Sequence, residues 1–283
     1  MHPSFGTRIL RSSPVEEPPA PRPEVGGIPA EALRLDEHLV CLRSPHSFEA
    51  DQYRVLRHFI GGSAEPYRRS VVAVTSAAAG EGKTTTAINL AATLAQTPGA
   101  RVLLVDADLR RPCVASSLGL PQSSSPGLAG AVLHERLDLA MVVRTTPFNL
   151  SVLPAGPSLT NAYQILESPR FGRLLDEARA SYDHVILDTP PLLVVPDCRL
   201  LSQWVDGFII VVAARRTPRK LFGETLGILD PAKVAGIVFN GDERPLSGYY
   251  KGYYAGYYHD SRKTGARRWL SWWRRRRAKR HQA

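Results

Sequence analysis

From Arg69 onward the chain alternates short, nearly continuous apolar runs with longer stretches in which apolar residues recur every three or four positions. The runs are VVAVT (71–75), RVLLVD (101–106), LSVLP (150–154), HVILD (184–188), FIIVVAA (208–214) and VAGIVFN (234–240). Each is strand-sized, rich in Val, Ile and Leu, and lacks the period-two alternation of a half-solvated strand, so each predicts a strand buried on both faces. Residues 83–96, 168–181 and 218–229 lie between runs and predict helices. The alternation predicts an α/β fold, a mostly parallel sheet with helices on both faces. Ligands in such sheets bind beyond the carboxyl ends of the strands, where the polar residues of this chain gather.

The rest of the chain reads differently. Residues 1–30 hold Pro14, Pro18, Pro19, Pro21, Pro23 and Pro29 and predict a disordered leader. Residues 47–60, SFEADQYRVLRHFI, put Tyr53, Leu56 and Ile60 on one helical face and Asp51, Arg54 and Arg57 on a stripe at three-residue spacing. That stripe suits either a solvated face with i,i+3 pairing or a contact with another subunit. Residues 246–260 contain GYYKGYYAGYYHD, with Tyr249, Tyr250, Tyr253, Tyr254, Tyr257 and Tyr258 paired behind glycines. Each such glycine costs a helix about 1 kcal/mol relative to alanine, and the pattern has no period of two. The segment reads as presented rather than packed. Residues 261–283 join Trp269, Trp272 and Trp273 to four arginines at 274–277.

Composition sharpens this division. With 43% hydrophobic residues among 283 there is ample material for a core. The net charge of +10 is confined to one end, because ten Lys or Arg residues and no acid follow Asp260, which leaves the remainder neutral. Cys41, Cys113 and Cys198 show no metal-ligand or CxxC spacing, which fits a reducing compartment. No apolar run approaches the roughly 17 residues that a spanning helix needs, and the N-terminus has no secretory h-region. A soluble protein of the cell interior is expected.

The first run leads into TSAAAGEGKTTTAINLAATLA. Gly80, Gly82, Lys83 and Thr84 form the second half of a GxxxxGK[ST] loop, with Ala77 at its leading glycine position. Small residues let backbone N–H groups wrap phosphates, and the helix that follows points its positive end at them. Lys83 is placed to neutralise the outer phosphates and Thr84 to ligate Mg²⁺. Two other strand ends bring carboxylates, Asp106 and Asp108 from LLVDADLRRP and Asp188 from VILDTPP. A lone acid at a strand end is ordinarily just solvated. Three of them in a sheet that also carries a phosphate loop point to nucleoside triphosphate chemistry, since Mg²⁺ takes hard oxygen ligands. The doubled Asp106-x-Asp108 leaves one carboxylate to accept a proton from a nucleophile.

AAAGEGKTTT, LLVDADLRRP and YDHVILDTPPLL resemble, in order and spacing, the Walker A, A′ and B motifs of the bacterial tyrosine kinases (BY-kinases), which are linked to capsule and exopolysaccharide export. SVLPAG, LESPRFGRLLDEARASYDHVILDTPP and GIVFNG are similar to other segments of that family, so the resemblance runs over 47–240 and on to the tyrosine cluster. It implies a MinD/ParA-like P-loop kinase domain over 31–245, ATP with Mg²⁺, and autophosphorylation of the six tyrosines. By position it implies nucleotide binding at Gly80, Glu81, Gly82, Lys83, Thr84 and Thr85, with Asn240 near adenine. It implies metal contacts from Thr84, Asp106, Asp108 and Asp188. Lys83, Asp106 and Asp108 form the implied catalytic group, with Asp108 activating the tyrosine hydroxyl.

The family's ExxRxxR oligomerisation motif reads DQYRVLR here, with Asp51 in place of Glu; the resemblance favours a subunit contact for Asp51, Arg54 and Arg57, hence a homo-oligomer. The MinD/ParA relatives' second loop lysine is Ala78 here, which points to the kinase branch. The resemblance also implies a separate polysaccharide co-polymerase-type membrane activator and a cytoplasmic protein at the inner face of the cell membrane. The Trp/Arg tail suits an anionic membrane surface, although a solvated basic end is the plainer alternative. Two other classes compete: an ATPase switch without kinase activity, and a single-strand nucleic-acid binder built on the Gly/Tyr repeats. The second leaves the loop and its carboxylates unexplained, so nucleic acid is not an expected partner.

Overall fold

The six apolar runs become strands of one sheet, with ends shifted by at most one residue. They are β1 (Ser70–Ser76), β2 (Val102–Asp106), β4 (Leu150–Leu153), β5 (His184–Asp188), β6 (Gly207–Ala213) and β7 (Val234–Asn240). A two-residue strand, β3 (Arg144–Thr145), is added at the edge; it is too short to leave a periodic signature. The computed structural model describes residues 33–61, 69–121, 125–157, 162–195 and 197–242. The leader over 1–30, the tyrosine cluster and the basic tail lie outside these residues.

The strand order is β3-β4-β2-β5-β1-β6-β7. Only the β3–β4 pair is antiparallel; every other neighbouring pair is parallel. The connections run through α1 (Val40–Arg43) and α2 (Phe48–Gly61) before the sheet. After β1 come α3 (Lys83–Ala95), α4 (Val114–Ser117), α5 (Gly127–Leu133), α6 (Leu139–Val142), α7 (Ala162–Glu167), α8 (Pro169–Ser181), α9 (Asp197–Leu201) and α10 (Arg219–Ile228). Helix α8 starts where its sequence dictates, with the Ser168 side chain accepting from the Arg170 N–H at 3.2 Å and Pro169 in the first turn.

Strand residues alternate between two cores. Val71, Ala73, Leu103, Val105, Val185, Leu187, Phe208 and Ile210 pack with residues of α5 to α8. Val72, Val74, Leu104, Ile186, Ile209 and Val211 pack with α3. Both faces are thus covered, which is why the runs read as continuously apolar. Helix α3 is buried from Thr86 to Ala95 because it lies between the sheet and α1 and α2. Asn89 joins these layers: its side chain accepts from the Cys41 N–H at 2.9 Å and donates to the His38 and Thr85 carbonyls, each at 3.0 Å. Among the described residues no helix is long and apolar enough to cross a membrane.

Because β1, β2, β5, β6 and β7 all run the same way, their carboxyl ends share one rim. That rim carries the phosphate loop after β1, Asp106 at the end of β2, Asp188 at the end of β5 and Asn240 at the end of β7.

Candidate active site

Beyond Ser76 the chain passes through residues 77–82 and enters α3 at Lys83. Gly80 and Gly82 hold φ of +76° and +92°, the left-handed region that glycine enters freely. At Gly82 there is also no room for a side chain, since a Cβ would lie 2.0 Å from Asn240 Nδ2. Gly82 is the N-cap of α3 and no side chain caps that end, so the first-turn N–H groups and the positive helix pole face the loop's interior. Thr85 sits in this first turn.

The loop is held from below. Glu81 is buried, and its Oε2 accepts the Ala78 N–H at 3.0 Å while its Oε1 accepts the Thr217 hydroxyl. The Thr217 oxygen accepts in turn from the Ala213 N–H at 3.0 Å, at the end of β6. Asn240 donates from Nδ2 to the Glu81 carbonyl at 3.0 Å. Ser76 donates its hydroxyl proton to the Ala78 carbonyl at 2.7 Å. The Glu81 side chain is therefore turned under the loop, where it ties the loop to the turn after β6, while the Glu81 carbonyl ties it to the end of β7.

Asp106 and Asp188 are register partners on β2 and β5, and both are fully buried. Asp106 Oδ2 accepts the Val114 N–H at 3.0 Å, and Asp188 Oδ2 accepts the Thr84 hydroxyl at 2.7 Å. The Oδ1 of each has no hydrogen-bond partner among the described residues. Burial pushes both carboxyls up, Asp188 to about 6; at Asp106 the charge of Asp188 adds to the shift. Asp108 stands apart from this pair. Its Oδ2 takes the Lys83 ammonium at 2.9 Å and its Oδ1 the Arg111 N–H at 3.1 Å. Burial works against the Lys83 charge, but Asp188 and Asp108 outweigh it and the lysine is raised.

Thr84, Asp106 and Asp188 fit a Mg²⁺ ion. Among the described residues one buried oxygen of each carboxyl lacks a hydrogen-bond partner, and a hydroxyl is already bonded to one of the two groups. Among the described residues no group of three or more His, Cys, Asp or Glu forms a metal cage. Mg²⁺ keeps several waters and takes ligands from substrate phosphates, so one or two carboxylates and a hydroxyl suffice for it.

The remaining candidates fall elsewhere. Asp51, Arg54 and Arg57 lie on α2 and all have partners within the chain. Arg54 bonds to Asp51 and to the Pro45 carbonyl, and Arg57 donates to the Thr93 carbonyl at 3.3 Å. The most exposed apolar residues of that helix are Val55 and Phe59, 55% and 69% exposed, which the charged stripe gave no reason to single out. Thr217 was also missed, since its link to Glu81 joins residues 136 apart in sequence and leaves no local signal. The six tyrosines lie outside the described residues.

Comparison with known proteins agrees with this geometry. The AAA domain family model matches residues 69–217. The tyrosine-protein kinase YwqD of Bacillus subtilis is 34% identical over 222 residues, covering 77% of this chain and 92% of that protein. The succinoglycan biosynthesis transport protein ExoP of Rhizobium meliloti is 31% identical over 75% of this chain, but the match spans only 27% of ExoP. Among solved structures, the kinase domain of the Escherichia coli tyrosine kinase ETK superposes with a TM-score of 0.65 at 26% identity, covering 74% of this chain and 82% of that one. A phosphate loop on a mostly parallel sheet makes this an ATP-binding fold, and the enzyme it forms is a tyrosine kinase. The chain belongs to the bacterial tyrosine kinase family.

Proposed function

We propose that this kinase transfers the γ-phosphate of ATP, with Mg²⁺, to the tyrosines of its own C-terminal cluster, in trans between copies of an oligomer. The observation that carries the reading is a buried carboxylate couple, each member with one oxygen lacking a partner among the described residues, set beside a lysine–aspartate pair on the same rim. Phosphoryl transfer is mostly positioning and charge stabilisation. The loop N–H groups and the α3 pole hold the phosphates, and Lys83 neutralises charge that builds on them. Asp106, Asp188 and the Thr84 hydroxyl would hold the ion. When bound, Mg²⁺ would supply neutralisation of the phosphate charge. Asp108, already beside Lys83, accepts the proton of the attacking tyrosine hydroxyl as its oxygen bonds to phosphorus. Asn240 contacts the adenine.

The family context supports a role in regulating exopolysaccharide or capsule synthesis or export. The partners that go with it are a polysaccharide co-polymerase-type membrane activator and a location at the inner face of the cell membrane. Asp51, Arg54 and Arg57 on α2, with the neighbouring exposed Val55 and Phe59, form the proposed subunit contact. The Trp/Arg tail reaches anionic lipid. The tyrosine-kinase relatives and the absence of a second lysine at Ala78 both speak against an ATPase switch without kinase activity.

The test is a mixture of two full-length variants with Mg-ATP, one Lys83→Met and the other carrying all six tyrosines as Phe. Label on the Lys83→Met chain is the expected result. An unlabelled Lys83→Met chain refutes transfer in trans, and tyrosine phosphorylation of purified Lys83→Met protein alone refutes this ATP site.

A further inference from the structure

We infer that Arg216 supplies a second cationic contact to the phosphate tail of the bound nucleotide. The inference deepens the ATP-site reading and rests on it. Residues 77–82 read Ala-Ala-Ala-Gly-Glu-Gly, so the loop itself brings no cation before Lys83, and its one acid is turned under it. A nucleoside triphosphate remains anionic after one lysine and one divalent ion are set against it. Another positive group at the loop has a charge to meet.

Arg216 stands in the turn between β6 and α10, just past the end of the strand that neighbours β1 in the sheet. Its guanidinium Nη2 lies 3.8 Å from the point that a Cβ on Gly80 would occupy, so the head group lies beside Gly80 of the phosphate loop. The backbone sends it there. Arg215 adopts φ of +61°, a left-handed conformation disfavoured for any residue with a Cβ. Across this turn the two arginines part: Arg215 pairs with Asp242 at 3.8 Å, and Arg216 reaches the loop.

The turn is also fastened. The N–H groups of Arg216 and Thr217 both donate to the Ala213 carbonyl, at 3.1 and 3.0 Å. The Thr217 hydroxyl is bonded to Glu81 within the loop. An exposed arginine is ordinarily a solvated surface charge. Arg216 differs because a strained turn, latched to the loop through the next residue, fixes where its side chain begins. Its head group is otherwise uncommitted, with no hydrogen bond or ion pair among the described residues. Guanidinium is suited to the role, since its planar fork meets phosphate oxygens through two parallel N–H donors.

The experiment titrates full-length protein with a fluorescent ATP analogue in the presence of Mg²⁺, using wild type, Arg216→Ala, Arg216→Lys and Arg219→Ala. Arg219, three residues on in the first turn of α10, is exposed and controls for general charge. Arg216→Ala is expected to weaken binding about tenfold, the size of one charge-assisted contact. Arg216→Lys should lie between it and wild type, and Arg219→Ala should match wild type. Unchanged affinity in Arg216→Ala overturns the inference, as does an equal loss in Arg216→Ala and Arg219→Ala. If wild type and Lys83→Met bind the analogue alike, the ATP site itself fails and the inference falls with it.

Discussion

Asp106 and Asp188 sit side by side on parallel strands β2 and β5, wholly buried, each with one oxygen that no donor among the described residues reaches. Two carboxylates in this position oppose each other's ionisation, and a divalent cation relieves both at once.

A pH dependence follows. The Asp188 carboxyl is raised from 3.8 to about 6 in the folded chain, so between those values the folded protein binds a proton that the unfolded chain does not. This contribution to stability is fully present below about pH 4 and is lost as pH rises through about 6. In EDTA, the melting temperature of wild type measured relative to Asp188→Asn should therefore fall from pH 4 to pH 7. Adding Mg²⁺ at pH 7 should raise wild type more than the variant. Parallel pH curves for the two proteins would count against the buried pair as the source.

Glu81 is the second target. Its removal leaves the Ala78 N–H and the Thr217 hydroxyl without their acceptor. Glu81→Ala is expected to cost about 1–3 kcal/mol of stability and to weaken ATP binding, because the loop loses its lower support. Thr217→Ser, which keeps the hydroxyl that bonds to Glu81 and accepts the Ala213 N–H, should cost less. Denaturant melts with an ATP titration on each variant check the order, and a Thr217→Ser loss as large as that of Glu81→Ala would contradict it.

The phosphate loop and the acids at strand ends are legible in the sequence because each is local: a short apolar run, then the polar residues that end it. Ser168 followed by Pro169 likewise announces the start of α8. Sheet order is not legible in that way. Nothing near Asp106 says that β5, rather than β1, will lie beside β2, so the pairing with Asp188 emerges only in three dimensions. The same holds for Thr217 and Glu81, whose bond depends on β6 lying next to β1. On α2 the charged stripe is legible because its spacing is regular, while the exposure of Val55 and Phe59 depends on how the helix packs.

Those two residues give a third prediction. If α2 is the subunit contact, Phe59→Ser should shift the particle mass in light scattering towards the monomer, and Val55→Ser should do so more weakly. Asp51→Ala should have a smaller effect than Phe59→Ser, because it breaks a pair made within the helix. An unchanged mass in Phe59→Ser would move the contact elsewhere.

The charge of the tail gives a fourth. Six phosphotyrosines carry roughly −9 to −12 charges in total, enough to offset the ten basic residues that follow Asp260. Protein phosphorylated to completion should bind anionic vesicles more weakly than protein treated with phosphatase, as read by co-sedimentation. Equal binding by the two forms would refute electrostatic release.

Asn240 touches the phosphate cradle twice, through its bond to the Glu81 carbonyl and through the space that Gly82 leaves for its amide. If the same amide reads the base, recognition at one end of the nucleotide is mechanically joined to support at the other. A purine that draws the Asn240 amide off Glu81 would loosen the loop under its own phosphates. Discrimination between ATP and GTP would then be expressed in turnover as well as in affinity, a selectivity set by how well the wrong nucleotide keeps its own cradle closed.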